Sequence, residues 1–508
     1  MKPSTEWPFQ SFTWTDHTAD SGDTVSYRVI PVFRDTPASP LELLETESSP
    51  WSAEHTLGAS GTSPYKAYFN RGFVMSQFMG RYLKARNLTL AQFKAQIRDE
   101  DDQVIRRFLS GDLRLAALRM IEDAGADGHV FAALYELDDD ELIAALCALG
   151  VRGHVVLANG SITKAKGETT AEARERDQNE RGRKKLLDAG VDVEATNRFI
   201  SPGALGHNKF LVVTDSHQTA QLAWTGSMNW TPTGLCTQVN NGLRIEDASV
   251  ASVYLEQWHR LRNAGSDFPA ALIDENSIAK DAGANIAGSI RSSIWFSRTR
   301  RGVDLDVLRA EASRAQEGLL FLMFKPGGTG VLPAALTAAA NPNLYVRGVV
   351  SDLPAVDESE VEIGLISTGG LAHTASFEVL EPGGVAHPFA FWAAEVARNE
   401  FLSQIGFAII HSKVLVIDPF SDDPTVVTGS HNFSTSASSK NDENFIIVRG
   451  DKELAQAHAV NILGAYNHYR WRAHVAATAE PWKGTQDDDQ WMPGMLASRQ
   501  DELRFWGV

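Results

Sequence analysis

Apolar residues follow two alternating patterns from about residue 110 onward. Helix-like DLRLAALRMIEDAG leads to the apolar run HVFAALYEL, and helix-like DDDELIAALCALG leads to RGHVVLANG. The same order returns in the second half, where DLDVLRAEASRAQEG leads to LLFLMF and VLPAALTAAA leads to LYVRGVV. Apolar spacings of three and four predict helices, and short apolar runs predict strands. Two copies of helix, strand, helix, strand therefore predict an α/β fold with an internal duplication.

The duplication divides the chain into four predicted segments. Residues 1–62 contain the alternating stretch DTVSYRVIPVF and are predicted to form a small β-rich appendage. The first copy predicts a domain over 63–275, the second copy predicts a domain over 276–482, and 483–508 form a C-terminal tail.

Three stretches inside the two domains have a distinct composition. The segment after Gly72 has helical spacing of its apolar residues. ETTAEARERDQNERGRKKLL is highly charged and predicts one solvated helix. The segment from about Asp352 to Pro388 is rich in glycine and acidic residues, and we expect loop excursions there.

Composition excludes several classes of protein. The 508 residues carry a net charge of −17, which argues against a protein that coats long duplex DNA but not against a locally basic pocket. Two cysteines, Cys147 and Cys236, are too few for a disulfide framework or a metal cluster. Without a signal-like N-terminus or an apolar run of bilayer-spanning length, we expect a cytoplasmic protein with no stable membrane insertion.

The polar residues that end each copy carry the candidate chemistry. GHNKFLVVTD is followed by TGSMNW in the first copy, and IHSKVLVID is followed by TGSHNF in the second. Residues two apart on a strand project to the same side. Four such pairs occur: His207 with Lys209, His411 with Lys413, Ser227 with Asn229, and Ser430 with Asn432.

These residue types suit phosphoryl chemistry without a metal. Lysine is a cation suited to phosphate oxygens and asparagine is a neutral donor, whereas the carboxylate and histidine set of a zinc or magnesium site is missing from the motifs. We therefore predict no metal and no cofactor. One neutral imidazole can attack phosphorus, and the other, protonated, can donate to the leaving oxygen.

Each copy offers only one histidine and one lysine, although the chemistry needs two of each around one phosphorus. Both motifs are therefore predicted to line one cleft of a monomer. The two rings, His207 and His411, should then lie less than roughly 10 Å apart, since each needs hydrogen-bond reach to the same phosphate.

HSKVLVID with GSHN resembles the HxKxxxxD and GSxN signature of the phospholipase D superfamily, and HNKFLVVT with GSMN resembles it in all but the aspartate. The resemblance spans roughly residues 65–480. It implies two similar α-β-α sandwich domains whose motifs face one cleft, and a phosphohistidine intermediate. It also implies that His207 and His411 act as nucleophile and acid or base, and that phosphate is bound by Lys209, Lys413, Asn229 and Asn432.

Some positions depart from the signature or leave two interpretations open. The first motif has Thr214 at the aspartate position and Asp215 one place later. Asp418 lies an odd number of positions from His411 and is interpreted as structural. Ser227 and Ser430 either bind substrate or shape the turn that brings the asparagine into place.

The resemblance also implies an acidic residue, downstream of GSxN, that hydrogen-bonds a catalytic histidine. Glu443 suits that place in the second copy, and the first copy offers Asn240 or Asn241. We therefore expect Glu443 to serve His411. Because an anion raises the pKa of a neighbouring histidine, His411 would be the protonated acid and His207 the nucleophile.

Residues beside the motifs are given structural interpretations. Tyr135 with Glu136, and Phe324 with Lys325, end strands that open toward the cleft. Two interpretations are open, residues that line the pocket and plain strand ends, and the second is favoured. His431 lies between two motif residues and is expected to point away from the cleft.

Three functions agree with these observations. The slightly favoured one is hydrolysis or transfer of a phospholipid diester. The second is cleavage of a nucleic acid or nucleotide diester, against which the acidity and the lack of a basic, aromatic-rich groove weigh. The third is a degenerate protein that binds phosphorylated ligands without turnover.

Overall fold

The structure is a computed structural model. It describes residues 4–350 and 410–507 except for single positions and the ranges 58–62, 75–85, 99–102, 284–289, 339–340 and 478–485, and between 351 and 409 it describes only 365–366 and 377–380. The chain separates into two units, one formed by Met1–Gly61 with Ala477–Val508 and the other by Thr62–Ala476.

The smaller unit has little regular structure. Its described strands are β1 (Thr24–Val25), β2 (Val32–Phe33), β3 (Glu42–Leu43) and β4 (His55–Thr56), which pair as β1 with β4 and β2 with β3. Its two described helices are Trp491–Ser498 and Gln500–Phe505. The four segment boundaries derived from the sequence remain predictions.

The larger unit contains two mixed sheets. The strands described in the first sheet are β5 (Tyr65–Phe69), β6 (His129–Leu134), β7 (Gly153–Leu157), β8 (Asp192–Val193), β9 (Lys209–Thr214), β10 (Ala220–Gly226) and β11 (Asn241–Ile245). Their order is β5-β11-β10-β9-β6-β7-β8. The pairs β6–β7 and β7–β8 are parallel, as expected for strands joined through helices, and the other pairs are antiparallel.

The second sheet repeats this arrangement. Its described strands are β12 (Lys280–Ala282), β13 (Arg291–Ser297), β14 (Gly318–Met323), β15 (Tyr345–Val350), β16 (Leu365–Ile366), β17 (Phe377–Leu380), β18 (Val414–Ile417), β19 (Thr425–Gly429) and β20 (Glu443–Arg449). Their order is β12-β13-β20-β19-β18-β14-β15-β17-β16. The run β20-β19-β18-β14-β15 matches β11-β10-β9-β6-β7, so the predicted α/β duplication is confirmed.

Helices cover the sheets through their apolar faces. In the first copy the described helices are Leu90–Arg98, Gln103–Glu122, Asp140–Cys147, Thr170–Arg174, Glu180–Asp188, Pro232–Cys236, Ala248–Ala264 and Ala270–Asn276. In the second they are Val303–Ser313, Leu332–Ala338, Thr435–Ser439 and Lys452–Ala477. Among the described residues, none of these helices combines the length and apolar character that a bilayer crossing requires.

Each copy has its own apolar core. Leu113, Ala117 and Met120 lie at helical spacing on one face and are buried in a cluster with Val130 of β6 and Leu211 of β9. The second copy builds the equivalent cluster from the helix Val303–Ser313 and from β14 and β18. The spacing of apolar residues by three and four positions therefore predicted the buried helix faces correctly.

The charged segment of the first copy, predicted as one helix, has a different structure. This segment forms two short helices rather than one, because Thr169 and Glu172 make a capping box that starts the first and the chain leaves helical structure before Glu180. After Gly72 the structure describes one short 3-10 turn, and the rest of the predicted helix up to residue 85 lies outside the described residues. Most of the predicted 352–388 excursion also lies outside them.

Asp418 has the structural role that its spacing indicated. Its carboxylate accepts hydrogen bonds from the backbone N–H groups of Gln316, Glu317 and Gly318 at 2.7–3.1 Å, and so fixes the chain as it enters β14. Asp215 of the first copy accepts from the N–H groups of His217 and Thr219 in its own turn and from Gln221 Nε2 at 3.4 Å.

Asp418→Ala should lower the free energy of unfolding by about 1–3 kcal/mol, because three backbone N–H groups lose the charged acceptor that they share. Asp418→Asn keeps one acceptor and tolerates the positive φ of 48° at this position, so its loss should be smaller. Urea denaturation of both variants measures the difference, and equal stability of Asp418→Ala and the wild type would contradict the role.

Candidate active site

The two histidines lie at the start of equivalent strands. His207 precedes β9 and His411 precedes β18, and each residue is 4% exposed. The ring centroids are 6.5 Å apart and the ring planes are inclined at 69°. The predicted separation below 10 Å is therefore confirmed, and both rings can reach one phosphate.

Each histidine receives its hydrogen-bond partner from the other copy. His207 Nδ1 lies 2.7 Å from Glu443 Oε2, and His411 Nδ1 lies 2.9 Å from Asn240 Oδ1. The expectation that Glu443 serves His411 is wrong. Sequence spacing places Glu443 within its own copy, but the packing of the copies brings the start of β20 against the chain that leads into β9, where the N–H of Asp442 donates to the carbonyl of Leu205.

The two serine hydroxyls hold these partners. Ser227 Oγ donates to Asn240 Oδ1 at 2.7 Å, and Ser430 Oγ donates to Glu443 Oε2 at 2.9 Å. Both serines are fully buried. Their hydroxyls thus orient the side chains that orient the imidazoles, and direct contact with substrate remains a prediction.

The glycine before each serine allows two strands to approach closely. A side chain at Gly226 would collide with the backbone carbonyl of Asn241, and one at Gly429 would collide with that of Asn444. The GS pair therefore has a steric reason for its glycine and a hydrogen-bonding reason for its serine.

Both lysines are buried beside an aromatic ring. Lys209 Nζ donates to the carbonyl of His207 at 2.9 Å, and Lys413 Nζ donates to that of His411. Lys209 lies 4.9 Å from the ring centre of Tyr135. Each ammonium thus has a backbone acceptor and a partly apolar surrounding.

Burial lowers the pKa of Lys413 well below its ordinary value, and the nearby Lys209 lowers it further while Glu443 opposes the change. Burial lowers the pKa of Lys209, and the negative charges of Glu443 and Glu136 raise it. Two cations in one cleft repel each other, so the site favours an anion that both can contact.

Two strand-end residues form the walls beside the imidazoles. The Tyr135 ring is 4.7 Å from that of His207, and the Phe324 ring is 4.9 Å from that of His411. The interpretation of Tyr135 and Phe324 as plain strand ends is therefore wrong. Their equivalent places after β6 and β14 were the signal that could have identified them.

The two motif asparagines differ in their contacts. Asn229 Nδ2 donates to Glu136 Oε2 at 2.6 Å. Among the described residues, Asn229 Oδ1 and Asn432 Oδ1 are buried without a hydrogen-bond partner. Glu136, which sequence reasoning treated as a strand end, thus contacts a residue predicted to bind phosphate.

The side chain of His431 is directed to the opposite side of the motif, as predicted. Its Nδ1 accepts from the N–H of Phe433 at 3.0 Å, and its Nε2 lies 3.3 Å from Asp304 Oδ2. Asp304 also accepts from Thr299 and Ser438. This buried group supports the chain around Ser430 without lining the space between the rings.

The electrostatics of the site keep the imidazoles neutral before substrate binds. Burial lowers the pKa of His207 and of His411 well below the ordinary value, and the lysines lower both further. Since each Nδ1 is engaged with its partner, Nε2 is the nitrogen available for chemistry. In the described part of the chain, no three His, Cys, Asp or Glu side chains form a group that could hold a metal.

Comparison with known families agrees with this arrangement. Residues 118–262 and 332–462 match the family model described as "Cardiolipin synthase, PLD-like domain". The two segments together cover more than half of the chain and include both histidine motifs. The chain therefore belongs to this phospholipase D-like family, whose members act on phosphodiester bonds. A search of curated proteins gave no match.

Solved structures provide distant similarities. Phosphatidylserine synthase of Haemophilus influenzae is 11% identical over 78% of this chain and 94% of its own, with a TM-score of 0.43. A phospholipase D family member of Salmonella typhimurium is 16% identical over 35% and 95%, with a TM-score of 0.22. A mutant of yeast tyrosyl-DNA phosphodiesterase is 12% identical over 65% and 84%, with a TM-score of 0.32.

Glu443 should make the stability of the protein depend on pH. Burial raises its pKa to about 7, with Lys209 and Ser430 opposing. A carboxyl whose folded pKa exceeds its unfolded value stabilises fully below the unfolded value, and this stabilisation is lost as pH rises through the folded value. Between pH 5 and 8 the wild type should therefore lose roughly 1–3 kcal/mol of unfolding free energy relative to Glu443→Gln.

Chemical denaturation at several pH values measures this difference. Glu175→Gln, which neutralises an exposed acid of the first copy, is the control and should show the pH dependence of the wild type. Parallel curves for the wild type and Glu443→Gln would contradict the raised pKa of Glu443.

Proposed function

We propose that the protein hydrolyses or transfers a phosphodiester through a phosphohistidine intermediate on His207. The observation that carries the proposal is the pair of buried rings, 6.5 Å apart, each tied at Nδ1 to a side chain of the opposite copy. This leaves Nε2 of both rings and the two lysines available to one phosphate group.

In the first step, His207 Nε2 attacks phosphorus and forms the P–N bond as the bond to the leaving oxygen breaks. The imidazole gains positive charge, and its Nδ1–H donates to the carboxylate of Glu443. A buried carboxylate in this position orients the ring and stabilises the cation that forms. Glu443 thus supports His207 as nucleophile, for a different reason from the one that the sequence offered.

His411 protonates the leaving oxygen in the same step. Burial and the two lysines lower the pKa of His411 in the free protein, and the negative charge of the bound diester raises it again. The neutral acceptor Asn240 fixes the Nδ1–H of His411 and leaves Nε2 free to give and take the proton. The acid is therefore formed when substrate is bound.

In the second step, His411 removes a proton from water or from an acceptor alcohol, whose oxygen attacks phosphorus. The P–N bond breaks and neutral His207 is restored. Lys209 and Lys413 contact the non-bridging oxygens in both steps, with help from Asn229 and Asn432. Water as acceptor gives hydrolysis, and an alcohol gives transfer.

A phospholipid diester is the proposed substrate, and one chain is sufficient for activity as a monomer because it supplies both half-sites. The matched family model carries the name of cardiolipin synthase, which supports a lipid. The net charge of −17 weighs against long nucleic acids, whose binding depends on many basic contacts to phosphate.

The intermediate should be trapped in His411→Asn with bis(4-nitrophenyl) phosphate. Nitrophenolate leaves without protonation, so the first step proceeds, while loss of the base should slow the second by about 10²–10⁴-fold. We expect a burst of about one nitrophenolate per protein and phosphate on His207 by mass spectrometry. His207→Asn should give no burst, and His217→Asn, at an exposed histidine, should behave as the wild type.

Two results would overturn this assignment. Phosphate located on His411 would reverse the roles of the rings. Turnover by the wild type without any covalent species, in acid-quenched samples of every variant, would favour direct attack by water.

The substrate class can be tested with vesicles of phosphatidylglycerol and phosphatidylcholine, single-stranded DNA and RNA, each with EDTA present. We expect turnover of a phospholipid and at least tenfold slower turnover of the nucleic acids. EDTA should have no effect, because lysines rather than a metal ion neutralise the phosphate. Faster cleavage of DNA or RNA would favour a nuclease, and binding of all substrates without turnover by an intact protein would favour a degenerate phosphate-binding protein.

A further inference from the structure

The two halves of the site differ in charge at one equivalent position. Tyr135 and Glu136 directly follow β6, and Phe324 and Lys325 directly follow β14. The aromatic residues occupy matching places, each beside a histidine and a lysine of its own copy. The next residue is an acid in the first copy and an exposed lysine in the second.

Glu136 is held by contacts on both carboxylate oxygens. Oε2 accepts from Asn229 Nδ2 at 2.6 Å, and Oε1 accepts from Gln178 Nε2 at 3.3 Å. Its backbone carbonyl accepts from the N–H of Trp230 at 3.2 Å. The carboxylate is therefore fixed next to the first GSxN motif.

The charge of Glu136 acts on Lys209. Burial raises the pKa of Glu136, and the charge of Lys209 is the largest influence that opposes this rise. Conversely, burial lowers the pKa of Lys209, and the charges of Glu443 and Glu136 oppose this change. Glu443 also faces the Nδ1 of His207, so its negative charge acts on both His207 and Lys209.

We propose that Glu136 is a positioning residue of this site, which fixes the amide of Asn229 and whose negative charge acts on Lys209. This inference rests on the proposed function. An amide nitrogen has two N–H groups, so Asn229 can donate one to Glu136 and the other to a phosphate oxygen. When the diester binds, its negative charge supports Lys209 in addition to Glu136.

Binding of inorganic sulfate tests the electrostatic part without any turnover. Sulfate has the same charge throughout pH 6–10, so a loss of affinity as pH rises reports loss of charge on the protein. Glu136→Gln should move the midpoint of this loss down by about one pH unit, because an opposite charge nearby shifts a pKa by about 1–3 units. Glu136→Asp, which keeps the charge, and Glu175→Gln, which removes an exposed one, should keep the midpoint of the wild type.

The alkaline limb of kcat/KM for bis(4-nitrophenyl) phosphate should move in the same direction, since it reports groups of the free enzyme. Glu136→Leu tests the orientation of Asn229, because leucine accepts no hydrogen bond whereas glutamine does. The two variants are compared at a pH below the alkaline limb of either one. There Glu136→Leu should lower kcat/KM about tenfold more than Glu136→Gln, as expected for one lost hydrogen bond.

An unchanged sulfate midpoint in folded Glu136→Gln would overturn the inference, as would equal kcat/KM for the Leu and Gln variants. The two proposals can fail separately. If the wild type cleaves no diester but the sulfate midpoint shifts as expected, the proposed function is wrong and the electrostatic role of Glu136 stands.

Discussion

The exchange of hydrogen-bond partners between the two copies ties the chemistry of this site to the packing of the duplicated halves. The ring of His207 is oriented by Glu443 and that of His411 by Asn240, so neither half contains a complete imidazole site. Further polar contacts cross between the copies. The buried guanidinium of Arg198 pairs with Asp442 at 2.8 and 2.9 Å. Because a buried charge without its partner is strongly destabilising, these contacts allow few alternative packings.

The departures from symmetry give the two imidazoles different environments. Each serine hydroxyl meets the residue that holds a histidine, but this residue is an amide in one copy and a carboxylate in the other. A carboxylate stabilises a cation on its ring, and an amide only fixes the orientation. The neighbouring acid at position 136 and lysine at position 325 extend the same asymmetry to the strand ends. The two half-sites are therefore nearly equivalent in backbone and different in charge.

The fold, and the histidines and lysines of the doubled motif, could be predicted because both follow from local sequence patterns. Apolar spacing marked the helices and strands of each copy, and the doubled motif identified the histidines, the lysines and their approach to one another. Asp418 was correctly placed outside the site from its odd spacing alone. These inferences needed only the periodicity of strands and helices.

The pairing of Glu443 could not be predicted in this way. Its distance along the chain from His411 is short and that from His207 is long, yet the three-dimensional contact is with His207. Glu136 was missed for another reason, because its partner Asn229 lies in the same copy but 93 residues away along the chain. Contacts between copies depend on how two sheets pack, and a pattern within one copy contains no information about that packing. Tyr135 and Phe324 were an intermediate case, since their equivalence was visible but their contact with the rings was not.

The exchanged partners also bear on how such a site can diverge. In a symmetric dimer of a single copy, one gene would specify both partner residues, so both histidines would face a carboxylate or both would face an amide. Joining two copies in one chain removes this restriction, because the positions of Asn240 and Glu443 can then mutate independently. The difference between the two imidazoles is thus a property that fusion of the copies makes available, and that an assembly of identical halves cannot acquire.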